Sequence, residues 1–542
     1  MKMKKKILAL SLACAMSLGL LAGCGGGSEA SPDPSAAPSA AAGSSTPAES
    51  GTLTVSLSSS PSKLDPIHYT GTYESQIIGQ VCDRLIEYND DLDTYVPSLA
   101  TSWTISEDGS TYVFQIRQGV HFQNGQYSQG REMTAEDVAW SLNRSAQYSD
   151  MARLSMLDKA EVTGEWEVTC TLKSPNAAFL TALTDAGNSI IAQEEVEGWG
   201  DDFGYHLTGT GAFIMEDFQL DEQAVLVANE DYWLGVPNIQ KLVFRFISDP
   251  TQTANALLAG EIDLATQLSG EAINTVDQAG GDVSLMKVEA LQINYVRFNM
   301  QNGPTADPLV RQALIQAVDL DAVRTALYQY GEAEAACLPL PYGSWGYDES
   351  LESLALPYDV EAAKEKLAQS GYPNGFEVDI YVSNTQERTT LCTLLQAYWS
   401  QIGVTTNIHA NEWGTFSDMA ASGNADIYAM SWTWYPDPYF FLNNLFSSSQ
   451  TSSNGNGALY INDEVDAALQ AAVETTDQTE RAAYYSEVMR HAMEDYTGIY
   501  YAVPYNCYGI NSRVQDFTPR ADGTLRFIVS DGEKIVRNTS VA

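Results

Sequence analysis

The chain is predicted to fold as an α/β protein, with strands and helices interleaved and a parallel strand pair in its C-terminal half. Three observations carry this reading. Runs such as Leu53-Thr54-Val55-Ser56-Leu57 and Tyr112-Val113-Phe114-Gln115-Ile116 alternate apolar and polar residues, the period of a half-buried strand. Other segments carry apolar residues at helical spacing behind a capping residue. One strand, helix, strand succession requires a crossover, which in a twisted sheet is right-handed and makes the two strands parallel neighbours.

The first segment stands outside that fold. Lys2, Lys4, Lys5 and Lys6 precede an apolar run from Ile7 to Leu21 that ends in Leu21-Ala22-Gly23-Cys24. This is a signal peptide over residues 1–23, its apolar core too short for a comfortable membrane span. The small residues before the cysteine resemble the lipobox of bacterial lipoproteins, which implies cleavage ahead of Cys24 and diacylation of its sulfur. Two acyl chains give a stable anchor, at about 0.8 kcal/mol per buried CH₂. Residues 24–51, rich in Gly, Ser, Ala and Pro, have too little apolar bulk to offset their ordering entropy. They read as a flexible tether reaching about 25–30 Å.

From Thr52 onward the chain is long enough for a deep core and more than one lobe. Leu53 to Leu57 opens it as a strand. The turn Glu107-Asp108-Gly109 leads into the strand Tyr112 to Ile116. Thr134 caps a helix, with Asp137 three residues on and Val138, Leu142 and Ala146 on its buried face. A second helix, Glu361 to Ser370, is closed by Gly371 and followed by the strand Phe376 to Val382. A third, from about Glu387 to Ile402, is closed by Gly403 and followed by the strand Val404 to Ile408. This last succession is the one that predicts the parallel pair.

Composition narrows the function classes. The formal net charge is −42, and without the four lysines of the signal peptide 24 basic residues face 70 acidic ones. Such a balance disfavours nucleic acid and anionic lipid surfaces as partners. Cys82, Cys170, Cys337, Cys392 and Cys507 are odd in number and form no C-x-x-C pair, so no zinc site or dense disulfide framework is signalled. One or two disulfides and buried free thiols both fit. His68, His121, His206, His409 and His491 are dispersed, without paired ligand spacing. No metal and no cofactor is predicted.

Catalytic motifs are equally thin. There is no G-x-S-x-G elbow and no phosphate-binding G-x-x-x-x-G-K-[ST] loop. Ser60-Pro61-Ser62-Lys63 fits S-x-x-K, but its proline spoils the helix that motif needs and no K-T-G follows. Asn89-Asp90-Asp91-Leu92-Asp93 lacks the glycine and distal glutamate of a calcium loop and reads as a polar turn. No enzyme is predicted.

A resemblance runs along nearly the whole body. Its segments are Leu64-Asp65-Pro66, Pro97-Ser98-Leu99-Ala100-Thr101-Ser102-Trp103, Phe114 to Phe122, Thr134-Ala135-Glu136-Asp137-Val138 and Gly209-Thr210-Gly211-Ala212-Phe213. Further on stand Asn229 to Trp233, Leu258 to Asp263, Phe298-Asn299-Met300, Val310 to Leu314 and Trp434-Tyr435-Pro436-Asp437-Pro438. Each is weak alone, but together and in this order they resemble the peptide/nickel type of extracytoplasmic solute-binding protein, family 5, the receptor component of an ABC importer. The resemblance implies a two-lobed periplasmic-binding-protein-like fold of type II, of the large cluster with an extra inserted domain. Lobe I then spans residues 52–291 plus 504–542, with the inserted subdomain at about 84–205, and lobe II spans 292–503. The implied partners are a small solute, a peptide first, and the permease subunits; the membrane is met through the lipid anchor only, and the protein is expected to be a monomer at the extracytoplasmic face.

The ligand is expected between the lobes. The loop Ser431 to Pro438 places Trp432, Trp434 and Tyr435 beside two prolines, a rigid aromatic wall of the kind that suits a cleft. Trp432 alternates with Met430 and is the ring expected to be buried. Peptide-binding members of the family place an aspartate in this loop for the peptide amine, where this sequence has Trp434. Asp437 is the nearby carboxylate, and capping the following helix is its expected task. Dipeptide binders set an arginine ahead of the lobe II crossover helix; here the only nearby one, Arg388, lies about a turn later, as a fork for a carboxylate or phosphate. Tyr69, Thr72 and Trp413 complete the candidates. A non-peptide solute, either a metal chelate or an oligosaccharide, stays open as an alternative, and a surface enzyme or adhesin would require a nucleophile or metal constellation absent from these motifs.

Overall fold

The computed structural model describes residues 51–542 except Ser62, Thr70, Trp434 and residues 452–454. Cys24, the predicted signal peptide, all of the tether but its last residue, and Trp434 lie outside the described residues. The predicted elements form within a few residues of their expected ends. Strand Thr52–Leu57 buries Leu53, Val55 and Leu57 on one face. Helix Ala135–Tyr148 begins at a capping box, in which the Thr134 backbone N–H donates to Asp137 Oδ2 at 2.9 Å, and it buries Val138 and Leu142. Strand Phe376–Ser383, helix Gln386–Ser400 and strand Val404–Asn411 make the crossover unit, and the strands are parallel in register from Phe376 opposite Val404 to Ser383 opposite Asn411. Residues 89–93 form the polar turn between Ile86–Tyr88 and Tyr95–Pro97.

The main sheet has twelve strands and falls into two halves. One half is built around Thr52–Leu57, parallel to both Lys241–Phe246 and Leu264–Ala265. The other half contains the crossover unit and the strands Gln292–Phe298 and Ile427–Thr433. Two tracks connect them. The long strand Gly498–Asn511 pairs with Gln292–Phe298 over its first part and with Val283–Glu289 over its second. Ala290 and Leu291 join those two partners. The chain is therefore two-lobed, and its lobes meet where these tracks pass from one half-sheet to the other.

A separate four-stranded antiparallel sheet, in the order Ala100–Ile105, Thr111–Ile116, Glu167–Leu172, Leu157–Gly164, packs under helix Ala135–Tyr148. Phe440 and Val473 are buried in this core although they belong to the far half, while Tyr88 and Leu92 are buried in the far half's own core. Apolar contact thus ties the smaller sheet's unit across the gap between the halves. The five cysteines from Cys82 to Cys507 are free thiols, all buried except the half-buried Cys337.

Candidate ligand-binding cleft

Two neighbouring cavities open where the half-sheets meet, and Gln292 lines both. The larger, about 300 Å³, sits at the C-terminal ends of Phe376–Ser383 and Ile427–Thr433, which run parallel to each other. That is where open α/β sheets place ligands, because the following helix turns its N-terminus toward the same spot. Here Thr385 caps helix Gln386–Ser400, its hydroxyl accepting from the Arg388 N–H at 3.3 Å. Arg388 is buried at 8% exposure, and its Nη1 donates to the Tyr501 hydroxyl at 2.5 Å. Burial works against its charge, but the oxygens of Tyr501 and Glu387 outweigh that and hold it protonated more firmly than an ordinary arginine. Trp413, more than half exposed, stands at the chamber with its ring centroid 5.8 Å from that of Phe416.

The smaller cavity, about 140 Å³, lies on the lobe I side. Thr72, the first residue of helix Thr72–Val81, lines it, as does Thr433, whose hydroxyl donates to Gln292 Oε1 at 2.8 Å. Gln267, Asn506 and Asp522 stand in its polar wall together with Gln76 and Thr266. Sequence reasoning missed Gln267, Asn506 and Asp522, together with Gln292 and Glu387. They come from five separate places in the chain, and the local pattern at each carries no chemical motif.

The remaining candidates do other things. Trp432 is half-buried against the lobe II core, opposite Ile293 in register, while Met430 is the more buried of the pair. Asp437 is 1% exposed: it caps helix Pro438–Phe446 by accepting from the Tyr439 N–H at 3.0 Å, and it receives Arg481 Nη2 at 2.8 Å. Tyr69 and Tyr435 line neither cavity. Their hydroxyls converge on Asp185, Tyr69 at 2.5 Å and Tyr435 closer still. Arg153 pairs with the same carboxylate at 2.7 Å and lies 3.8 Å from the centre of the Tyr69 ring. Burial and then the Asp185 charge push both phenols well above their ordinary pKa, so they stay protonated as donors. Tyr435 comes from the lobe II loop and Asp185 from the smaller sheet's unit, so this is a bond across the gap. Cys24 and Trp434 lie outside the described residues.

A profile of the bacterial extracellular solute-binding proteins, family 5 Middle, matches residues 94–453. The chain belongs to that family. This solute-binding protein is 31% identical over 444 residues to "Heme-binding protein A" of Haemophilus influenzae, covering 77% of the present chain and 80% of that one. It is 28% identical over 470 residues to "Di/tripeptide-binding protein 2" of Pseudomonas aeruginosa, with 82% and 88% covered. Among solved structures, a periplasmic binding protein of Helicobacter pylori in complex with the peptide STSA superposes at a TM-score of 0.78, with 27% identity and 90% and 98% of the two chains covered. The two-lobed binding-protein architecture and the receptor role in transport follow from membership, and the protein is a binding component rather than an enzyme. Among the described residues no helix is long and apolar enough to cross a membrane.

Proposed function

We propose that the protein captures a peptide or a similar carboxylate-bearing solute between its lobes and hands it to the permease of an ABC importer. It does so as a monomer held at the outer face of the membrane by acyl chains on Cys24. The observation that carries the ligand reading is Arg388, buried beside the larger cavity at the N-terminus of helix Gln386–Ser400. A guanidinium and a helix N-terminus facing one space favour an anion, and the fork of the guanidinium suits a carboxylate. The relatives named for peptides support the same reading. The lobes are read as rigid bodies that hinge at Ala290-Leu291 and Val503-Pro504, with Tyr69 and Tyr435 acting in closure through Asp185 while Trp413 supplies aromatic wall at the larger cavity.

Calorimetric titration of the mature protein with a dipeptide panel tests this. Arg388→Met is expected to weaken binding by about 2–3 kcal/mol, roughly a hundredfold, because a charge-assisted bond is lost. Unchanged affinity in the variant would remove the carboxylate seat. Mass spectrometry of the membrane-extracted protein tests the anchor, which predicts an acylated Cys24 at the N-terminus and none in Cys24→Ala.

A further inference from the structure

We infer that the lobe I cavity receives an uncharged hydrogen-bonding group, so that the preferred solute is a carboxylate whose far end is an amide or hydroxyl rather than a free ammonium. This rests on the reading of Arg388 as the partner of the solute's carboxylate.

The carboxylates that line the two cavities are Glu387 and Asp522. Asp522, the one on the lobe I side, is already engaged on both oxygens. Its Oδ1 accepts from the Thr524 N–H at 3.0 Å and from the Thr524 hydroxyl at 2.8 Å, and its Oδ2 accepts from Arg520 Nη2 at 3.1 Å. Arg520 is buried at 5% exposure and forms an ion pair with Asp522, which balances the charge of that carboxylate. Glu387 lies on the other side, beside Arg388, and its Oε1 accepts from the Tyr328 hydroxyl at 2.8 Å. An ammonium drawn into the lobe I cavity would lose water without gaining a free counter-charge, an unfavourable exchange.

What this cavity does offer is a neutral donor and a neutral acceptor. The carboxamide oxygen of Gln267 is taken by the Ser58 hydroxyl at 2.7 Å, which leaves its NH₂ to donate. Asn506 donates through Nδ2 to the Ala521 carbonyl at 3.3 Å, which leaves its oxygen to accept. An amide or hydroxyl, donor and acceptor at once, satisfies both. Gln267 also holds φ +55°, in the left-handed region that is uncommon for a non-glycine residue.

The test is calorimetry of the mature protein with Ala-Phe, N-acetyl-Ala-Phe and the C-terminal amide of N-acetyl-Ala-Phe. N-acetyl-Ala-Phe is expected to bind at least as tightly as Ala-Phe, and Gln267→Ala to weaken it by about three- to tenfold, the worth of one neutral hydrogen bond. Tighter binding of Ala-Phe than of its acetyl derivative would overturn the inference while leaving the Arg388 reading intact. An amide that binds as well as the acid would overturn the Arg388 reading instead. Binding of none of the three would overturn both.

Discussion

At Gly375 the backbone holds φ +82°, and a Cβ built there would lie 1.9 Å from the carbonyl oxygen of Gly403. The two glycines stand just ahead of the two parallel strands of the crossover unit, so their close approach fixes where both strands begin. Gly375→Ala is therefore expected to destabilise by roughly 2–3 kcal/mol, from the steric conflict and the positive φ together. Urea denaturation checks this, and a loss below about 0.5 kcal/mol would mean that the strand entries separate freely. Because this unit also carries Arg388 and Thr385, the same variant should weaken binding of a carboxylate solute.

Among the elements, helix Ala135–Tyr148 shows how a local signal holds a larger surface. Its capping box satisfies backbone donors at the start of a helix whose other face covers the four-stranded sheet. Thr134→Ala should cost about 1 kcal/mol, seen as a lower melting temperature, and Thr134→Ser should recover most of it. Equal melting temperatures for all three proteins would show that packing alone sets this helix. Helix Gln386–Ser400 uses its N-terminus differently, directing it at the larger cavity rather than only into solvent.

For the whole molecule, stability and closure are separable. Tyr435 reaches Asp185 across the gap, so this bond exists only when lobe II lies against the smaller sheet's unit. Tyr435→Phe should weaken solute affinity by about 1.5 kcal/mol, roughly tenfold and mainly through faster release, with little change in the melting of the free protein. Stopped-flow release that is unchanged would show that the bond persists with the lobes apart. The tail is held by a different contact: Glu87 receives Arg526 at 2.5 Å and also pairs with Arg84. Burial opposes the charge on Glu87, but Arg526 and then Arg84 outweigh it and lower the pKa beneath its ordinary 4.5. A lowered carboxylate pKa contributes stability that is complete above the unfolded value and lost as pH falls through the folded one. Glu87→Gln should thus cost about 3 kcal/mol at neutral pH. Its deficit against the native protein should shrink as the pH drops below 4.5 in denaturant melts.

The α/β class, the parallel pair and the capped helices were legible in the amino-acid order, because alternation, helical spacing and caps are short-range effects written in neighbouring residues. That order also singled out Arg388, Thr72 and Trp413, whose geometry now places them on the cavity walls. The tertiary structure alone decided the rest. Gln267, Asn506 and Gln292 become neighbours only when the two crossing tracks bring distant segments together, and no local pattern marks them. Tyr69 and Tyr435, ambiguous as aromatic wall in the sequence, are drawn to Asp185 because a buried carboxylate beside Arg153 takes its remaining hydrogen bonds from whatever donors the fold supplies.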